Sequence, residues 1–85
     1  MVPRLRLFAG ARDAAGTARA ELRGATVAEV LEAAVARFGP GFAEVVAHSR
    51  VWCNGEPADL DEMVGDDDEI AVLPPVSGGQ SPVGR

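Results

Sequence analysis

Few residues in this 85-residue chain are equipped for chemistry. There is one histidine, His48, one cysteine, Cys53, no tyrosine, and one dense acidic run, "GDDDE" at 65–69. No cluster has metal-ligand spacing, and no nucleophile has a base and an orienting partner beside it in sequence. His48 reads as a polar residue closing a helical turn. Cys53 alternates in phase with Val51 and so reads as a buried, inert thiol rather than a nucleophile. The acidic run lacks the later bidentate glutamate of a calcium loop and reads as a solvated turn. Attention therefore falls on the end of the chain, "LPPVSGGQSPVGR" at 73–85, with its paired Gly78 and Gly79. A Gly-rich end is ordinarily a flexible terminus. It also suits an arm that must enter another protein's active site, since glycine adds no side chain and adopts dihedrals closed to other residues. From Pro74 to Gly79 such an arm reaches at most about 20 Å, and Pro74 and Pro75 stiffen its exit. Composition alone leaves both readings open.

The elements that would position this arm follow from periodicity. "PRLRLFA" at 3–9 alternates as a half-buried strand, with Leu5 and Leu7 on one face and Arg4, Arg6 and Phe8 on the other. "GARDAAG" reads as a turn and "TARAELR" at 17–23 as a partner strand, together an amino-terminal hairpin. Thr26 and Glu29 have capping-box spacing, and Val27, Val30, Leu31, Ala34, Val35 and Phe38 form one helical stripe, ended by Gly39 in a left-handed cap and Pro40. "FAEVVAHS" at 42–49 fits a further helical turn or two, or a packed loop. "SRVWCNGE" is a strand with Val51 and Cys53 inward, ending in an Asn54-Gly55 turn. Residues 56–59 fit a short edge strand blunted by Pro57. "IAVLP" is the last strand, with Ile70 and Val72 inward. The result is an α+β domain over residues 1–75, a ubiquitin-like β-grasp with one main helix across a small mixed sheet. The last strand pairs with the first across the helical crossover. Residues 76–85 form a flexible tail. Alternation places Phe8, Trp52, Ala71 and Leu73 on the face away from the helix, where exposed aromatics near the tail would dock a partner.

Length and charge narrow the function further. A chain this short buries only about 60–68% of its unfolded surface and builds one core. A single cysteine excludes an intrachain disulfide framework and fits a reducing compartment. "MVPRLRLFAG" is neither a signal peptide nor a membrane span, so a cytoplasmic protein is the default. Net charge is −5 and no basic stripe is present, which disfavours nucleic acid. All eight basic residues are arginines, so no side-chain amine is offered for isopeptide linkage.

"RLRLFAGARDAAG", "VWCNGE" and "GDDDEIAVLPPVSGG" in this order resemble the ubiquitin-like sulfur carriers, above all the small subunit of molybdopterin synthase. The likeness spans residues 3–79. It implies a substrate and carrier that is not catalytic alone and binds no cofactor or metal. A ubiquitin-activating-type adenylyltransferase would use ATP to adenylate the Gly79 carboxylate, which a sulfur donor then converts to a thiocarboxylate. The sulfur would pass to the large subunit of molybdopterin synthase or another acceptor enzyme. Carriers for cysteine, thiamine or another thio-metabolite, a protein modifier attached through Gly79, and a non-activated interaction domain are the alternatives. The resemblance puts Gly79 at the reactive position. Phe8, Trp52, Leu73, Pro74, Pro75, Val76, Ser77 and Gly78 are the expected partner contacts. One departure is plain: family members usually end at the second glycine, whereas here Gly79 is in an amide with Gln80. Cleavage of the Gly79 to Gln80 bond by a peptidase would make this chain a precursor. A diverged member that carries no sulfur, or a segment appended to the native chain, are the rival accounts.

Overall fold

The computed structural model describes residues 2–75. In chain order it holds β1 (Arg4–Leu7), α1 (Ala9–Ala15), β2 (Arg19–Glu21), α2 (Val27–Phe38), α3 (Pro40–Ala47), β3 (Arg50–Cys53), β4 (Glu56–Pro57) and β5 (Glu69–Leu73). The strands form one mixed sheet in the order β2-β1-β5-β3-β4. β5 lies in the middle, parallel to β1 and antiparallel to β3, as a crossover through α2 requires. This is the expected β-grasp.

The longest helix forms where the capping box places it. Thr26 has extended dihedrals, its hydroxyl accepts from the Glu29 N–H at 3.2 Å, and the Glu29 carboxylate accepts from the Ala25 N–H at 2.8 Å. The first turn of α2 is closed further by the loop that follows edge strand β4. The N–H groups of Val27 and Ala28 donate to the carbonyls of Glu62 and Leu60, at 3.0 and 2.8 Å. Two amides that a helix start leaves orphaned are thereby satisfied. Val27, Val30, Leu31 and Ala34 of α2 pack onto Leu5, Leu7, Ile70 and Val72 of the two central strands, all of them buried. Asn54 and Gly55 both have positive φ, 53° and 85°, as a two-residue hairpin turn between β3 and β4 demands.

Three expectations need correction. "GARDAAG" is helix α1, ended by Gly16 in the left-handed conformation, so β1 and β2 do pair antiparallel but are joined by a helix and not by a tight turn. Its buried Ala11 lets it lie close on the fold. β2 covers only Arg19–Glu21, because the Thr17 hydroxyl bonds locally to the Arg19 N–H and carbonyl and bends the chain before the strand. Gly39 ends α2 with φ 98° and ψ −176°, a region reserved for glycine but not the left-handed cap, and leads straight into α3 with Pro40 at its first position. α3 settles the ambiguity at 42–49 in favour of a helix, anchored by a fully buried Phe42 whose ring meets Phe38 edge-on at 5.2 Å.

Candidate functional site

The site is a strand end and the surface beside it. β5 is paired with β1 over Glu69–Val72 and with β3 over Ile70–Leu73, so its centre is held by ladders from both neighbours and its last residue by β3. Its burial alternates, with Ile70 and Val72 fully buried and Glu69, Ala71 and Leu73 half-buried on the opposite face. Leu73 pairs with Arg50, and the chain continues through a half-buried Pro74 to an exposed Pro75. Neither proline can donate to a ladder, so the sheet stops there and the backbone is delivered outward. The expected site residues Val76, Ser77, Gly78, Gly79 and Gln80 lie outside the described residues.

The outer face of the sheet has the predicted phase. Arg6 pairs with Ala71 and Ala71 with Trp52, which puts the three in one row across β1, β5 and β3. Phe8 has extended dihedrals, φ −122° and ψ 152°, so it continues the alternation of β1 onto the same face, beside the end of β5. It is 36% exposed. The Arg6 guanidinium sits 5.3 Å from its ring centroid and 3.9 Å from the Glu69 carboxylate. Trp52 departs from expectation: it is half-buried and not an exposed aromatic, since Ala71 and Pro57 lie in register on its two sides. Phe8 is the exposed large apolar side chain on this face, and Trp52, Leu73 and Pro74 are half-buried. Sequence reasoning did not single out the arginines around this patch. Arg4, Arg6, Arg19 and Arg50 all lie on the outer face, Arg4 in register with Glu21 and Glu69 and Arg50 with Leu73, in a chain of net charge −5. The alternation that placed Phe8 outside places them there too.

The remaining candidates are structural. Burial pushes the Cys53 thiol above its ordinary range, and the carboxylates of Asp68 and Glu62 add to the effect, so the nucleophilic thiolate is disfavoured. The His48 ring bonds the Glu44 carbonyl one turn back at 3.0 Å. The acidic turn is a clasp. Asp68 accepts from the Gly65 N–H at 2.7 Å and from the Asn54 side chain at 2.8 Å, which hold its carboxyl below the usual aspartate range, while the Glu69 N–H donates back to Asn54 at 2.9 Å. Among the described residues no group of three His, Cys, Asp or Glu side chains is placed to hold a metal. Among the same residues no helix is long and apolar enough to cross a membrane.

A five-stranded mixed sheet wrapped around one long helix, with its central strand running out through two prolines, defines a ubiquitin-like β-grasp protein. The chain belongs to the ThiS family, whose model matches residues 5–79. Small archaeal modifier protein 1 of Haloferax volcanii is 40% identical over 85 residues, covering 87% of this chain and 97% of that protein. Its crystal structure matches with a TM-score of 0.77 at 36% identity, over 91% of this chain and 98% of that one. The putative molybdopterin converting factor subunit 1 of Pyrococcus furiosus matches with a TM-score of 0.77 at 30% identity, over 89% and 100%. A chain from the complex of subunits 1 and 2 of the molybdopterin-converting factor of Helicobacter pylori matches with a TM-score of 0.68 at 25% identity, over 93% and 100%. The chain is thus homologous to ubiquitin-like small modifiers and sulfur carriers, and members of this group form complexes with partner proteins.

Proposed function

We propose that this protein is a sulfur carrier for molybdopterin synthesis, acting through Gly79 once residues 80–85 have been removed. The observation that carries the reading is where the chain leaves the sheet: Pro74 and Pro75 follow the central strand, next to the exposed Phe8 on the arginine-bearing face. An anchored exit fixes where the arm starts, and that face gives a partner something to grip while the arm enters its cleft. The chemistry needs no group on the domain. The freed Gly79 carboxylate attacks the α-phosphate of ATP in an adenylyltransferase, releasing pyrophosphate and forming an acyl adenylate with AMP as leaving group. A sulfur nucleophile from the donor then displaces AMP and leaves a thiocarboxylate, a soft nucleophile ready for transfer to an acceptor enzyme. ATP belongs to the activating enzyme, and the domain contributes position.

The similarity to a protein named as a modifier favours one second reading, in which the Gly79 acyl adenylate is passed to amines of other proteins. One experiment separates the two. The chain ending at Gly79 is incubated with an activating enzyme, ATP and a sulfide source, with and without a cell extract. A mass gain of one oxygen-to-sulfur exchange supports the carrier; covalent conjugates to extract proteins support the modifier. A chain that is neither thiolated nor conjugated is an interaction domain, and the proposal is then wrong.

A further inference from the structure

On the helical side of the sheet, opposite the arginine-bearing face, lies an open groove of about 590 Å³ between α2, α3 and the end of the β3–β4 hairpin. Leu31 and Val35 of α2, Val46 of α3, Val51 of β3, and Ala58 and Leu60 beyond β4 form its walls. The volume falls in the range of about 300–1,000 Å³ typical of binding clefts. Val51, expected as a core residue, is half-buried because it lines this groove.

Two of the three large apolar side chains exposed among the described residues belong to the loop that bounds this groove. Leu60, 58% exposed, forms the rim, and Met63, 70% exposed, follows on the same loop. That loop is held in place. It is bonded to the start of α2 through the Leu60, Glu62 and Ala25 carbonyls, with the Val64 N–H donating to Ala25 at 2.9 Å, and Thr26 and Met63 bridge as in a sheet. The groove is therefore preformed, and a partner would not have to order it on binding.

Charge identifies the occupant. Among the described residues Glu32 is the one charged side chain in the lining, and the exposed Asp59 and Asp61 flank Leu60 in sequence. A pair of these grooves meeting face to face would bring the acidic rims of two copies together, so a symmetric dimer is disfavoured. A small polar ligand would find only Glu32 and Ser49 to orient it. We propose that the groove is a second docking surface, which receives an aliphatic-anchored, arginine- or lysine-flanked helical segment of a partner protein. The two faces have opposite charge and lie on opposite sides of the sheet, so this partner binds while the sheet face is engaged. The proposal stands independently of the chemistry at Gly79.

Two short amphipathic helical peptides test it, each with leucines at i, i+4 and i+7, one flanked by arginines and the other by glutamates. Titration into the isotope-labelled protein, followed by methyl and amide chemical shifts, reads both the site and the affinity. The arginine-flanked peptide should shift Leu31, Val35, Val46 and Val51 and bind at least about tenfold more tightly than its glutamate-flanked counterpart. Glu32→Arg combined with Asp61→Arg, both at exposed positions, should reverse that preference. Phe8→Asp should leave it unchanged. Equal binding of the two peptides, no shifts in the groove, shifts centred on Phe8 and Leu73, or self-association of the protein through the groove would each overturn the proposal.

Discussion

Replacing Phe8 by aspartate should weaken docking while leaving the domain folded, and the structure says by how much. A phenylalanine presents roughly 200 Å². At 36% exposure about 70 Å² of it is available to a partner, worth about 1.8 kcal/mol at ~25 cal/mol per Å², or roughly a 20-fold loss of affinity. The other ~130 Å² is buried in the domain, so its loss destabilises by at most about 3 kcal/mol. Aspartate offsets part of that. Phe8 occupies the N-cap of α1 with extended dihedrals and makes no side-chain cap bond, and aspartate at such a position contributes about 1 kcal/mol. Phe8→Asp should therefore be about 1 kcal/mol more stable than Phe8→Ala, which loses the same surface and gains no cap. Both should remain folded, because a domain of this length has about 4–13 kcal/mol of stability. Urea denaturation of the two variants measures the first difference, and calorimetric titration with the activating enzyme measures the second. An alanine variant as stable as the aspartate one would refute the cap assignment. Unchanged binding to the enzyme would refute the docking role of Phe8.

Other consequences follow from the geometry. A Cβ added at Gly24 would lie 2.6 Å from the Val30 backbone nitrogen and 2.8 Å from its Cγ2, so Gly24→Ala should destabilise by about 1–3 kcal/mol in thermal or urea melts. Gly41 of α3 has open space at its Cβ, so Gly41→Ala should instead stabilise by about 0.4–1 kcal/mol; the opposite order would contradict the packing described. Because the folded pKa of Asp68 is depressed, the clasp contributes fully above the unfolded value of about 3.9 and is lost as pH falls through the folded value. Wild type should lose stability more steeply than Asp68→Asn between about pH 5 and pH 3, and parallel curves would show that the clasp has no energetic role. Cys53 should resist iodoacetamide at neutral pH until denaturant is added, and rapid alkylation of the native protein would disprove its burial.

The parts of this fold that could be read from sequence are those in which local and tertiary preferences agree. Thr26, Glu29 and the apolar stripe from Val27 to Ala34 specify α2 because the cap, the period and the core face all coincide. The strand phases were legible for the same reason: one slip would turn Leu5, Leu7, Ile70 and Val72 out to solvent. α1 was not legible, because seven residues with a glycine at the second position and another at the end are too short to be stable alone, and its helix depends on packing against α3 and the sheet. Its available signals were the alanines at 11, 14 and 15 and the left-handed Gly16 after them. The half-burial of Trp52 depends on the Pro57 register, which alternation within one strand does not reveal. The groove was hidden for a related reason. Its residues come from four stretches that only the crossover brings together, and Val51 and Val35 look like ordinary core residues in each stretch alone.

The central claim concerns one bond, Gly79 to Gln80. Intact-mass spectrometry of the protein purified from its native cell tests it most directly. The account predicts a species ending at Gly79, part of it heavier by one oxygen-to-sulfur exchange. A population that always retains residues 80–85 would contradict it, because an amide at Gly79 leaves no carboxylate to activate.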